Sequence, residues 1–266
     1  MPLLKWVGNK DYIVSDFVIK ERFNNNLDYY EPFLGGGTIL INVLKFDKTN
    51  NITRKYFACD MCSDLINFWK ILQLDYRLIV DYLKNIHDKI DCEHYYKYRT
   101  IFNESKDSIE RAALFLYLNK TCYHGVWRIN REGKFNVGYG NYTNPIIYTE
   151  NDLKEISELI QPVSFICGDY YHDLLKNIQN GIIYMDPPYM NMYDKYIPII
   201  FDNNKLINYL KSAPETLHIY LSDNENMLVE LGRNNVYYKE VLRYIRKNKF
   251  NIKNYDEYSD VTIKIA

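Results

Sequence analysis

The chain has 266 residues, enough for one large domain or for one domain carrying an insertion at about 150 residues per domain. Hydrophobic residues make up 47% and charged residues 25%, which excludes a disordered chain. With 33 basic against 34 acidic residues the formal net charge is −1, so any polyanion partner has to be argued from local sites.

No run approaches the roughly 18 consecutive apolar residues of a membrane span, and MPLLKWVGNK lacks a signal-peptide profile, so no membrane partner is expected. The five cysteines (Cys59, Cys62, Cys92, Cys122, Cys167) are odd in number and scattered, which suits a cytoplasmic or other intracellular reducing compartment. Cys59 and Cys62 form a CxxC pair, but no second CxxC or HxxxH would complete a zinc site. Buried structural thiols are expected there, and no metal.

Short apolar runs that end in an acid recur along the chain: Tyr29 to Glu31, Tyr56 to Asp60, Val163 to Asp169, Ile182 to Asp186 and His218 to Asp223. Their β-branched and aromatic content and their length read as strands. Helical patterns lie between them. One runs from Asp64 to Lys84, with apolar residues at 65, 66, 68, 69, 72 and 79 and Ser63 as its N-cap; another, rich in Ala and Leu, runs from Ser108 to Leu118. Strands alternating with helices predict a parallel α/β sheet, and acids at the carboxyl ends of such strands stand where doubly wound sheets bind ligands. Residues 75–160 break the rhythm and read as an inserted subdomain, with a polar, Gly-dotted stretch at 119–145. Val236 to Ile245 and Val261 to Ile265 read as a terminal hairpin.

Two motifs carry chemistry. In Glu31-Pro32-Phe33-Leu34-Gly35-Gly36-Gly37 a strand enters a Gly-rich turn, which lets backbone approach a ligand closely ahead of a helix N-terminus. It is neither GxGxxG nor a P-loop, so phosphate cradling is not its natural use. Asp60, at the end of the next strand, has the spacing to accept both hydroxyls of a ribose. The second motif is Asp186-Pro187-Pro188-Tyr189, in which two prolines hold the backbone rigid and extended. The Asp186 carboxylate and the Pro187 carbonyl then form two convergent acceptors, suited to an exocyclic amine with two N–H bonds. Tyr189 offers a ring face for stacking a base. Accepting both hydrogens localises an arylamine lone pair for in-line attack.

These residues resemble the Dam-type DNA adenine methyltransferases, over nearly the whole chain and in that family's motif order. KWVGNK (5–10) is similar to the family's KWxGxK, EPFLGGG to its FxGxG, CGDY (167–170) to its next acidic pocket motif, and DPPY to its catalytic motif. NKTCYHGVWRINREGKFNVGYGNY (119–142) is similar to its recognition signature. The resemblance implies a class I, Rossmann-like methyltransferase sheet (1–74 and 161–266) with an inserted helical target-recognition subdomain (75–160). It implies S-adenosylmethionine as cofactor and double-stranded DNA as substrate, with adenine methylated at its 6-amino group by base flipping, at GATC or a related short site. No covalent intermediate is needed, so no cysteine is required as nucleophile.

Carried over position by position, the resemblance places Trp6 and Lys10 beside the cofactor, and Phe33, Gly35 and Gly37 along its methionine side. Asp60 would hold its ribose, and Asp169 with Tyr170 would flank its adenine. Asp186, Pro187 and Tyr189 would be catalytic, Asp186 also approaching the cofactor. The loop Met190 to Phe201 reads as a lid ordered by DNA. DNA contact is expected from Tyr123, His124, Arg128, Asn130, Lys134 and Asn136, with Arg128 suited to a bidentate guanine contact and Tyr123 to wedging between bases. From 119 to 142 four basic residues, Lys120 among them, outweigh Glu132 for a local net of +3, and Tyr123 and Trp127 interleave with them. His124, Val126 and Gly138 depart from the family's usual Asn, Leu and Pro. Residues 236–253, including Arg246 and Lys247, carry a local net of +5 and read as phosphate contacts, so affinity should depend strongly on salt. An RNA adenine methyltransferase and a non-catalytic DNA-binding regulator are the rival readings.

Overall fold

The computed structural model describes residues 3–6, 26–86, 90–143, 145–188, 201–214, 216–223 and 261–265. Among these the strands are β1 (Tyr29–Glu31), β2 (Tyr56–Asp60), β3 (Val163–Cys167), β4 (Gly181–Met185), β5 (Leu217–Asp223) and β6 (Val261–Ile265). They form one sheet in the order β3-β2-β1-β4-β5-β6, in which the first five are parallel and β6 is antiparallel to β5. The fold class expected from the alternating pattern is therefore present. Of the expected terminal hairpin, Val261–Ile265 forms a strand, and Val236 to Ile245 lie outside the described residues.

The central strands β1 and β4 are buried on both faces, and the period of two along the strands divides the core. Tyr29, Tyr56, Ala58, Ile182, Tyr184 and Tyr220 point into one apolar cluster. Their neighbours Tyr30, Cys59, Ile183, Met185, Ile219 and Leu221 point into the other. The first cluster is shared with helices α1 (Thr38–Asn50), α2 (Ser63–Leu74), α3 (Tyr76–Ile86), α4 (Cys92–Glu104), α5 (Ser108–Thr121) and α6 (Glu150–Leu159). The second is covered by α7 (Asn203–Ser212) and by a wide helical turn, Tyr170–Leu175, with π-type spacing. Helices on both faces of a parallel sheet make a three-layer α/β arrangement.

The helix expected from Asp64 to Lys84 is two helices. Asp75 interrupts it in an extended conformation (φ −164°, ψ 112°), where its carboxylate accepts the Arg77 backbone N–H at 2.9 Å and the Arg77 guanidinium. An Asp side chain competes with the helix for backbone donors, so the apolar period continues while the helix axis changes. The cap of α2 is Cys62 rather than Ser63, and it contributes no side-chain hydrogen bond.

Residues 75–160 build on the same core as α2 rather than on a separate one. Ala112 to Leu118 of α5 are fully buried, as a helix apolar on all sides must be. Just ahead of this run Arg111 carries a guanidinium. That guanidinium bonds Asp64 at the start of α2, donates to the Phe102 and Ser105 carbonyls at 2.8 and 3.0 Å, and lies 4.3 Å over the Phe102 ring. One side chain thus ties α2, the C-terminal end of α4 and α5 together, satisfying carbonyls that helix ends leave unpaired. Arg111→Ala should lower the unfolding free energy by about 3 kcal/mol in urea denaturation, because it strands a largely buried Asp64 and two carbonyls. Lysine, with a point charge in place of a fork, should recover little. A loss under about 1 kcal/mol would contradict this role.

Candidate active site

The chain runs from β1 outward to β2 and β3, then crosses back to place β4 on the other side of β1. This reversal opens a crevice at the carboxyl ends of β1 and β4, the point where doubly wound sheets take ligands. The register Tyr29↔Ile182 and Tyr30↔Ile183 brings the two chemistry-bearing turns side by side. EPFLGGG leaves β1 and DPPY leaves β4. Asp60 ends β2, and Asp169 lies two residues beyond β3.

Glu31 is the innermost carboxyl and is buried. It accepts the Tyr29 hydroxyl at 2.7 Å. Burial pushes it up to about 8, against the Tyr29 hydroxyl; the Asp186 and Asp60 charges add to the rise, and the Leu40 N–H opposes it. The motif containing Glu31 was legible, but a role for this side chain was not, because only the fold shows Asp186 next to it.

The turn after β1 is held by Asp60. Its carboxylate accepts the Gly35 N–H at 3.0 Å and the Cys62 N–H at 2.9 Å, and burial raises it above the usual carboxylate range against those two donors. A carboxylate has about four lone-pair sites, so these two bonds leave room for hydroxyl donors. Gly35 sits at φ +49°, and a Cβ there would stand 2.9 Å from Cδ1 of Trp6. Only glycine allows the Trp6 ring to lie on this turn. Gly37 begins α1 without a side-chain cap, beside Trp69. Trp6 is carried there by Lys5, whose backbone N–H and C=O are both bonded by the buried Asn119 amide at 2.8 and 2.7 Å. Lys10 lies outside the described residues.

Beyond β3, the Asp169 carboxylate caps the Tyr170–Leu175 turn by accepting the Tyr171 and His172 N–H groups at 3.0 and 2.9 Å. Burial works against its charge, but the His172 N–H and the Lys205 ammonium outweigh that and hold it below the usual carboxylate range. Phe33, Tyr170 and Phe201 form one aromatic wall, with ring centroids 4.9 to 5.9 Å apart. The adenosyl cofactor implied by the resemblance needs acceptors for ribose hydroxyls and an amino group, an apolar wall for a purine, and a turn bare of side chains. Asp60, Asp169, this wall and Gly35 meet those needs, and the buried Tyr170 hydroxyl has no hydrogen-bond partner among the described residues. The residues present fit that group. Asp186 is half-buried, Pro187 buried and Pro188 exposed. Tyr189 and the expected lid from Met190 up to residue 200 lie outside the described residues.

The stretch expected to read DNA projects from the end of α5 as a loop closed by bridges Cys122↔Tyr139 and Ile129↔Phe135. The Asn103 amide pairs with both the N–H and the C=O of Phe135, at 2.8 and 3.0 Å, and Tyr95 and Arg99 both donate to the Val137 carbonyl. Tyr123 is 59% exposed, with the His124 ring 4.2 Å away and His124 itself at φ +52°. Arg128 is exposed, and its Nε donates to Asn136 Oδ1 at 2.9 Å. Lys134 is exposed near Glu132, at 3.7 Å. The Asn130 side-chain oxygen accepts the Glu132 and Lys134 N–H groups, so it shapes the turn. Two expectations need correction. Trp127 does not interleave with the basic residues but is buried, stacked on Phe135 with centroids 4.1 Å apart and tilted against Phe115 at 4.2 Å. Lys120 is buried as well, and burial with Lys5 beside it pulls its ammonium down to about 8. The exposed charge of the loop therefore comes from Arg128, Arg131 and Lys134 against Glu132. Arg246 and Lys247 lie outside the described residues.

Among the described residues no group of His, Cys, Asp or Glu is arranged to hold a metal ion, and Cys59 and Cys62 are free thiols, the first buried and the second partly so. No helix among them is long and apolar enough to cross a membrane.

A family model described as D12 class N6 adenine-specific DNA methyltransferase matches residues 6–261. The Type II methyltransferase M.MjaIII of Methanocaldococcus jannaschii is 36% identical over 208 residues, covering 71% of this chain and 68% of that protein. The DNA adenine methylase of Escherichia coli K12 is 34% identical over 188 residues, and that of Vibrio cholerae O1 is 32% identical over the same length. Each of these two alignments covers 70% of this chain and 64% of the relative, so the chain spans about two thirds of the length of the relatives it matches. The match over nearly its whole length, on motifs that the sheet gathers at one crevice, shows that the chain belongs to the D12 class N6 adenine-specific DNA methyltransferase family.

Proposed function

We propose that this chain uses S-adenosylmethionine to methylate the 6-amino group of a flipped adenine in double-stranded DNA, at a short fixed sequence, GATC or a near relative. The observation that carries this reading is the parallel pairing of β1 with β4, which sets the glycine turn and its carboxylates beside Asp186-Pro187. When bound, the cofactor supplies a methyl group on a sulfonium, which departs as a neutral thioether.

The chain's residues do the rest. Gly35 leaves room along the turn, Asp60 takes the ribose hydroxyls, and the wall of Phe33 and Tyr170 packs against the purine. The Asp186 carboxylate and the Pro187 carbonyl accept the two N–H bonds of the target amine, while Tyr189 stacks on its ring. The N6 lone pair then forms the new N–C bond, and one N6 proton leaves through Asp186 to water. Positioning and lone-pair localisation supply the catalysis. Residues 75–160 act as the target-recognition subdomain: Arg128, braced by Asn136, reads a guanine edge, and Tyr123 wedges into the stack. His124, Asn130 and Lys134 line the same loop, and Lys10, Arg246 and Lys247 add cofactor and phosphate contacts.

Two measurements test the chemistry. Asp186→Ala should lower labelled-methyl transfer to unmethylated duplex DNA by on the order of 10³-fold while DNA binding persists. Activity within tenfold of the unaltered chain, or transfer to RNA in preference to DNA, would refute the reading. The second concerns Glu31, which stays mostly protonated at pH 7 because its carboxyl is pushed up to about 8. A cationic sulfonium arriving nearby favours the ionised form, so cofactor binding at pH 7 should release protons. Calorimetry in buffers of different ionisation enthalpy should show this release, smaller for S-adenosylhomocysteine and absent in Glu31→Gln. Equal release in Glu31→Gln would contradict it.

A further inference from the structure

Helix α7 and the residue ahead of its cap bring two side chains to the crevice, Phe201 at the end of the expected lid and Lys205, which lies outside every motif read in the sequence. Phe201, just ahead of the Asp202 cap, packs its ring 5.7 Å from Phe33 and 5.9 Å from Tyr170. One turn on, Lys205 places Nζ 3.0 Å from Oδ1 and 3.2 Å from Oδ2 of Asp169, and 5.3 Å from the ring centroids of both Tyr170 and Tyr171. Asp169 is therefore held from two independent elements. Its own turn supplies the Tyr171 and His172 N–H groups to Oδ1, and α7 supplies a cation that spans both oxygens. Lys205 is only partly exposed, as is Asp169, so the pair is less screened than a surface contact.

We infer that Lys205 is a positioning residue for cofactor selection: it keeps the Asp169 carboxylate ionised and fixed so that it accepts the 6-amino group of the cofactor's adenine. This rests on the reading of the crevice as an adenosyl pocket. An ionised carboxylate only accepts hydrogen bonds, so it favours a purine that donates at position 6 over one that offers nothing there. Oδ1 already takes two N–H bonds, and the ammonium spans both oxygens, which leaves the remaining lone pairs of Oδ2 as the acceptor. The other titratable residues at Asp169 are Asp173, whose carboxylate accepts the Asp169 backbone N–H, and His172, whose backbone N–H reaches Oδ1. The cation that lowers the Asp169 carboxyl is Lys205, acting beside the N–H donors of its own turn.

The test is equilibrium binding of S-adenosylhomocysteine, and of its analogue with hydrogen in place of the 6-amino group, to the full chain and to Lys205→Met and Lys205→Arg. The unaltered chain should prefer the amino compound. Lys205→Met should weaken that compound about tenfold and the analogue less than twofold, as expected for a lost charge-assisted contact. Lys205→Arg should restore much of the preference. In Lys205→Met the weakening of binding with acid should also begin at a higher pH, because the carboxylate has lost the cation that lowers it. Equal losses for both ligands, or no loss for either, would overturn the inference while leaving the pocket intact. Failure of the unaltered chain to bind S-adenosylhomocysteine would instead overturn the reading of the pocket.

Discussion

The parallel pairing of β1 with β4 depends on a close approach at Gly181, which stands at φ +147°. A Cβ at that position would lie 2.6 Å from the Tyr30 ring and 2.9 Å from the Asp28 carbonyl, so a side chain would push the two strands out of register. The Ile182 N–H reaches that same Asp28 carbonyl at 2.9 Å. Everything at the crevice follows from this register. It sets the turn of Gly35 and the turn of Asp186 on adjacent strands, one made for close backbone approach and the other for convergent acceptors. It also crowds Glu31, Asp60 and Asp186 into a single electrostatic neighbourhood.

Two asparagine amides, one buried and one partly exposed, connect this crevice to the part of the molecule that would meet DNA. Asn119 bonds both backbone groups of Lys5, and Asn103 bonds both backbone groups of Phe135. Each amide stands in for a neighbouring strand, giving an irregular segment the paired N–H and C=O that buried backbone requires. Through the first, the end of α5 carries Trp6 onto the Gly35–Gly36 turn. Through the second, α4 carries the loop that exposes Tyr123 and Arg128. Helix α4 packs on α5, and Arg111 locks α5 to α2 of the sheet layer. The loop that exposes Tyr123 and Arg128 is thus mounted on elements that share a core with the Gly35 turn.

The strands were legible because each apolar run ended on an acid, and the carboxyl-end placement of those acids follows from parallel topology alone. Asp75 was not legible as a break, because the apolar spacing continues across it while the side chain turns to Arg77. Lys120 and Trp127 read as members of a basic, aromatic surface because sequence spacing in a loop carries no information about which side faces the core. In the fold one lies under Lys5 and the other inside a ring cluster with Phe115 and Phe135. Lys205 had no local signal at all. Its partner Asp169 is 36 residues away, and only the packing of α7 against the far face brings them together.

The proposed chemistry of the crevice between β1 and β4 is methylation of adenine in a fixed sequence of duplex DNA. Single-molecule sequencing of DNA from a methylation-free host expressing this chain reads the modified base and its context together. N6-methyladenine is expected at nearly every copy of one short motif, GATC or a near relative. Unmodified DNA from a host that contains folded protein, or methyl groups on cytosine, would contradict it.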